Sequence, residues 1–208
     1  MKILIVAATA TEINSIKKWI KSAEIKANLD IDYLCSGVWN YETIFSLENY
    51  LISHPEPTFI WNIWVCWYWN PNNDTKTDSI QVASIVNIHS EKEIIVPPFI
   101  AIAPLRNCFS SENVVFDKPI FSKEIWTTEN EMYFDMESRW IGFVASKYKL
   151  PYLLLKVPFD FIGKDTKWLY NNKWNFISSW KVSLSLDDLP YHDYLMKILQ
   201  RIQNNDKS

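Results

Sequence analysis

The sequence predicts one α/β domain in which a mixed sheet is flanked by helices, and three observations carry that prediction. Lys2 opens into Ile3-Leu4-Ile5-Val6-Ala7-Ala8, a continuous apolar run of strand length, as a strand buried on both faces requires. Ile13, Ile16 and Ile20 then recur at helical spacing, so the chain passes from buried strand to helix through a short turn that carries Glu12. Strand and helix patterns alternate at both ends of the chain around a strand-rich middle. With 208 residues there is material for one sizeable core, and 1–203 is read as a single domain with a frayed tail over 204–208.

The remaining elements follow in order. Ile31 to Cys35 reads as a second strand ending at Ser36-Gly37, and Thr43 to Ser53 as a helix with Ile44, Leu47 and Leu51 on one face. Thr58 to Trp67, rich in aromatic and β-branched residues, is a third strand. Asn70-Pro71-Asn72-Asn73-Asp74 carries turn chemistry, and Ile80 to Ile88, Glu93 to Ala103 and Pro119 to Trp126 then read as strands, one of them bulged or ended by Pro97-Pro98. Glu137 to Tyr148 places Trp140, Ile141, Val144, Ala145 and Tyr148 on a helical stripe. Tyr152 to Val157 is a further buried strand, and Leu195, Ile198, Leu199 and Ile202 mark a closing helix. Ligands of such folds sit outside the carboxyl ends of the parallel strands, which singles out Glu12, Asp135, Glu137 and Asp160.

Composition removes several classes of function. The formal charge of −3 and the absence of a concentrated basic face argue against a nucleic-acid partner, and Lys17, Lys18 and Lys21 fall on the polar side of a helix. No apolar run has the roughly 18 residues of a membrane span. Cys35, Cys66 and Cys108 are odd in number and far apart, with His54, His89 and His192 as the only histidines. Neither a disulfide framework nor a metal site is expected, and a cytoplasmic location fits. The chain has three glycines and neither a G-x-G-x-x-G nor a P-loop, so dinucleotide and ATP chemistry are excluded and no cofactor is expected.

Met1-Lys2-Ile3-Leu4-Ile5-Val6-Ala7-Ala8 with Glu12, Asn62 after Ile60-Trp61, Asp135-Met136-Glu137-Ser138 opening a helix, and Pro151 to Lys156 followed by Val157-Pro158-Phe159-Asp160 together resemble one family. It is the purine nucleoside phosphorylase and nucleosidase superfamily, especially 5′-methylthioadenosine/S-adenosylhomocysteine nucleosidases and futalosine hydrolases. The resemblance spans nearly the whole chain and implies a central, partly barrel-like mixed sheet. It also implies cleavage of the N-glycosidic bond of a purine-type or modified nucleoside, and a homodimer.

That cleavage passes through an oxocarbenium-like sugar, so a site must protonate the departing base, activate a nucleophile and hold the ribose. By resemblance Asp160 donates the proton, Glu12 positions the attacking water, Glu137 accepts from the ribose hydroxyls and Met136 packs under the sugar. Asn62, Lys156, Trp64 and Trp67 are placed in the substrate cleft in the same way.

Each acid also has a structural reading from the residues themselves. Thr9-Ala10-Thr11-Glu12 satisfies a capping box, Glu137 suits the first turn of a helix, Asp135 suits a cap and Asp160 a turn. Met136 is equally a core filler.

Three features depart from the family. Trp64 and Trp67 stand where relatives carry small residues and glycines, and Trp39 follows Gly37-Val38 where relatives place a second glycine. Pro158-Phe159 replaces a serine, and Lys156 replaces an arginine, keeping the charge but not the bidentate fork. An inactive, ligand- or partner-binding homologue with an aromatic-filled cleft is the alternative. A phosphate-dependent phosphorylase is a weaker one, since none of the three arginines follows the first strand.

Overall fold

The computed structural model describes residues 2–22, 30–37, 40–56, 59–70, 79–97, 103–113, 115 and 131–162. In chain order these form β1 (Lys2–Ala7), α1 (Ala10–Ser22), β2 (Asp30–Cys35), α2 (Asn40–Ser53), β3 (Phe59–Trp69) and β4 (Ile80–Asn87). They continue with β5 (Glu93–Ile95), β6 (Leu105–Ser110), β7 (Met132–Asp135), α3 (Ser138–Lys147) and β8 (Tyr152–Phe161).

All the described strands belong to one sheet. β3 pairs in parallel with β8 along one edge, β8 runs antiparallel to β4, β4 parallel to β6, β6 parallel to β7, and β7 returns antiparallel to β3. This circuit closes a five-stranded barrel, from which β1 and β2 extend in parallel beside β3 and β5 hangs on β4. The expected mixed, partly barrel-like sheet is present.

Two core layers cover the open part of the sheet. Ile3, Ile5, Trp61, Ile63, Leu153 and Leu155 pack beneath Ile13 and Ile16 of α1. On the other face Leu4, Val6, Ile60 and Leu154 meet Leu47 and Leu51 of α2 and Ile141 and Val144 of α3. Each such aliphatic side chain contributes about 1.5–3 kcal/mol when fully buried, which is why the continuous apolar runs are the most legible elements. Gly142 lets α3 approach this face: a Cβ there would lie 3.0 Å from Ile85 Cδ1 and 3.3 Å from the Tyr152 hydroxyl.

Several expectations are corrected. The strand expected over Glu93 to Ala103 ends at Ile95, where pairing to Ser84 stops two residues before Pro97, which has no N–H to extend a ladder. β6 and β7 were not anticipated. β6 begins with the exposed Leu105 and Arg106 and so lacks a clean alternation, and β7 has four residues, too few for a pattern. The strand expected over 119–126, the helix marked by Leu195, Ile198, Leu199 and Ile202, Trp39 and the 204–208 tail lie outside the described residues.

Candidate active site

The ladder between β1 and β3 stops at Val6↔Asn62, and the ladder between β7 and β3 begins at Trp67↔Phe134. β1 runs with β3 and β7 against it, so their carboxyl ends point at each other along one edge of β3. From the first end the chain turns through Thr9 into α1, which presents Glu12; from the second it turns through Met136 to Glu137 at the start of α3. Two strand-to-helix turns thus bring an acid each to the place where the sheet changes direction, the position at which open α/β sheets bind ligands.

Lys156 lies on the other side of this edge, in β8, and is fully buried. Its ammonium donates to Asn62 Oδ1 at 2.6 Å and pairs with Asp135 Oδ2 at 2.5 Å. Asn62 Nδ2 in turn donates to the Val6 carbonyl at 3.0 Å, and the Ser138 N–H donates to Asp135 Oδ2 at 3.1 Å. The Ser138 hydroxyl donates to the same oxygen. One polar network therefore ties β1, β3, β8, β7 and the first turn of α3 together.

Glu12, Asp135, Glu137 and Asn62 are all buried. Glu12 Oε2 accepts from the Thr9 N–H at 3.0 Å and from the Thr9 hydroxyl at 3.1 Å, which is the glutamate half of the expected capping box. Burial nevertheless pushes Glu12 well above the ordinary carboxylate range; the Thr9 bonds oppose this, and the charge of Glu137 adds to it. Burial, and then the Asp135 charge, push Glu137 up to about 8 against the partial offset of Lys156. Lys156 is held above its usual value, because Asp135 and then Glu137 more than reverse the lowering caused by burial. The two glutamates thus bind protons in the folded chain that the unfolded chain has released. Their contribution to stability falls as pH rises from the ordinary carboxylate range, through about 8 for Glu137.

Among the sequence candidates, Glu12, Asn62, Glu137 and Lys156 converge. Met136 is buried between Asp135 and Glu137. Trp64 pairs in register with Lys156 but packs in the cluster of Ala7, Ala8 and Ile13. Trp67 packs with Phe109, Met132 and Phe134 in a separate cluster, and the Tyr68 hydroxyl is held by Asn70 and Glu131. Asp160 occupies a β8 position opposite Trp67, past an irregularity between Cys66 and Trp67, and its side chain lies outside the described residues. Glu137 is the N-cap residue of α3 without a side-chain capping bond, while Asp135 receives the Ser138 N–H as a cap would.

The pairing of Asp135 with Lys156 was missed in the sequence. Its signal was a lysine inside the apolar run Tyr152 to Val157, since a fully buried lysine demands a partner.

No protein-family model and no curated protein matches this chain. Solved structures match over nearly its whole length. The nucleosidase (MTAN) of Chlamydia trachomatis bound to adenine is 19% identical over 97% of this chain and 98% of its own, with a TM-score of 0.62. An MTA/SAH nucleosidase is 13% identical over 98% and 94%, with a TM-score of 0.67. The 5′-methylthioadenosine/S-adenosylhomocysteine nucleosidase of Helicobacter pylori, complexed with a pyrrolopyrimidine–pyrrolidinol compound, is 15% identical over 86% and 90%, with a TM-score of 0.61. This chain shares their fold.

Proposed function

We propose that the protein is a nucleosidase that hydrolyses the N-glycosidic bond of a purine-type or modified nucleoside. The observation that carries this reading is the buried convergence of Glu12, Glu137, Lys156 and Asn62 where the carboxyl ends of β1 and β7 meet. The shared fold with nucleosidases found with adenine supports it. In this reading Glu12 positions the water, Glu137 and Met136 hold the ribose, and Asp160 protonates the leaving base, with Trp64 and Trp67 at the cleft.

Hydrolysis is favoured over phosphorolysis by charge. Lys156 is already engaged by Asp135 and Asn62 and so is not available to grip a phosphate dianion. A second reading, ligand binding without turnover, is favoured by the commitment of Glu12 Oε2 to Thr9 and by Pro158, which lies with Asp160 inside β8 and not in the turn expected there. Incubation with methylthioadenosine, S-adenosylhomocysteine, futalosine, adenosine and inosine, with and without phosphate, separates these. Free base without phosphate supports the nucleosidase, and binding with no base released from any of them supports the second reading.

We also infer a homodimer of a cytoplasmic protein. Among the described residues no helix is long and apolar enough to cross a membrane, and none of Cys35, Cys66 and Cys108 is in a disulfide. α2 and α3 lead into β3 and β8, which are parallel neighbours, so the helices run side by side in the same direction. Lys147 of α3 pairs with Glu48 of α2, which sets Phe143 alongside Phe45 one turn earlier. Tyr41 is 84% exposed, Phe45 63%, Ile52 70% and Phe143 51%.

At roughly 200 Å² per aromatic side chain these expose on the order of 500 Å², and two copies together reach the roughly 1,000 Å² of a specific interface. Phe45→Glu is expected to convert a dimer to a monomer in light scattering after size exclusion. A wild type that is monomeric at micromolar concentration refutes the interface.

A further inference from the structure

We infer that Asp135 and Asn62 are positioning residues that hold the Lys156 ammonium as their own, leaving Glu12 and Glu137 to share the site without a counter-cation. The geometry is specific. Lys156 Nζ reaches Asp135 Oδ2 at 2.5 Å and Asn62 Oδ1 at 2.6 Å, and no part of Lys156 is exposed. The bond from Asn62 Nδ2 to the Val6 carbonyl, at 3.0 Å, turns Oδ1 toward the ammonium. The Ser138 N–H and hydroxyl both donate to the Asp135 oxygen that the lysine uses, so that carboxylate is fixed from three directions.

The charged and titratable groups around the pair come from every neighbouring element. Glu12 faces Glu137 from α1, Asp135 from β7 and Lys156 from β8. The Cys108 thiol of β6 lies beside Asp135 and Lys156, with Cys66 of β3 next to it, and burial followed by the Asp135 charge keeps that thiol protonated. Arg139 of α3 is directed away, 3.9 Å from Glu112. The upward displacement of both glutamates comes first from burial; the Glu137 charge adds to it at Glu12 and the Asp135 charge at Glu137, and Lys156, held by Asp135 and Asn62, offsets both only in part.

The catalytic half of this inference rests on the nucleosidase reading; its titration half does not. In that reading, kcat/KM carries a basic limb set by Glu137, and Asp135→Asn moves the limb to lower pH.

The test independent of activity is a carbon NMR titration of glutamate-labelled protein. Asp135→Asn removes the charge that raises Glu137 and at the same time releases the ammonium to the glutamates, and is expected to lower the Glu137 titration by about one pH unit or more. Asp135→Asn combined with Lys156→Met removes both charges together, leaves no unpaired buried ion, and is expected to leave Glu137 at or below its wild-type position. An unchanged Glu137 in Asp135→Asn, or a raised one in the double variant, overturns the assignment, the latter by showing that Lys156 serves Glu137 directly. Should Asp135→Asn fail to fold, the double variant decides alone.

Discussion

Lys156→Met is expected to lower the stability of the protein by about 3–5 kcal/mol, because it leaves Asp135 as a buried charge without its cation. Asp135 and Lys156 have almost no exposed side-chain surface, so water cannot take over the solvation that the ion pair provides. Asn62 Oδ1 loses its ammonium donor in the same step. For a chain of this length the loss corresponds to a fall in Tm on the order of 10 °C. Urea denaturation at neutral pH reads it directly. The added change Asp135→Asn is expected to restore most of the stability. That recovery is the non-additive signature of a buried pair. A strictly additive double variant would place the two residues in separate environments.

Glu12→Gln is expected to reduce base release by about 10²- to 10⁴-fold while leaving the protein as stable as, or more stable than, the wild type. The separation of the two effects follows from the geometry. Glu12 Oε2 accepts from the Thr9 N–H and hydroxyl, and a glutamine carbonyl oxygen can accept both, so this half of the capping box survives the substitution. What is removed is the ionisable group and the strain of burying it, which holds Glu12 well above its ordinary range. Stability should therefore lose part of its decline as pH rises above the ordinary carboxylate range. Parallel measurement of turnover and thermal unfolding checks both halves. Unchanged turnover would assign Glu12 to capping alone.

How much of this was legible in the sequence depends on the kind of residue. Ile3 to Ala8 and Tyr152 to Val157 declared themselves because strands buried on both faces need uninterrupted apolar runs. The helices of Ile13 and Ile16, of Leu47 and Leu51, and of Ile141 and Val144 did so through their period. The barrel closure did not, since it depends on β6 and β7, whose short or mixed sequences acquire meaning only from their partners.

The site divides in the same way. Glu12 was readable both as a cap and as a site acid, and the fold makes it a cap that also faces Glu137. Asp135 was readable as a cap, and it is bonded as one. Its pairing with Lys156 was not readable, because the residue that neutralises a buried lysine is chosen by strand order, not by spacing. The aromatic run of β3 is divided among three packing clusters, with Trp64, Trp67 and Tyr68 each in a different one, a division that spacing along the strand does not announce.

Chromatographic measurement of free adenine from methylthioadenosine in phosphate-free buffer tests most directly whether these acids cleave a glycosidic bond with water as the nucleophile. Adenine that accumulates at a rate unchanged by added phosphate, and that collapses in Glu12→Gln, is the predicted result. Release that appears only with phosphate, or that continues undiminished in Glu12→Gln, would contradict it.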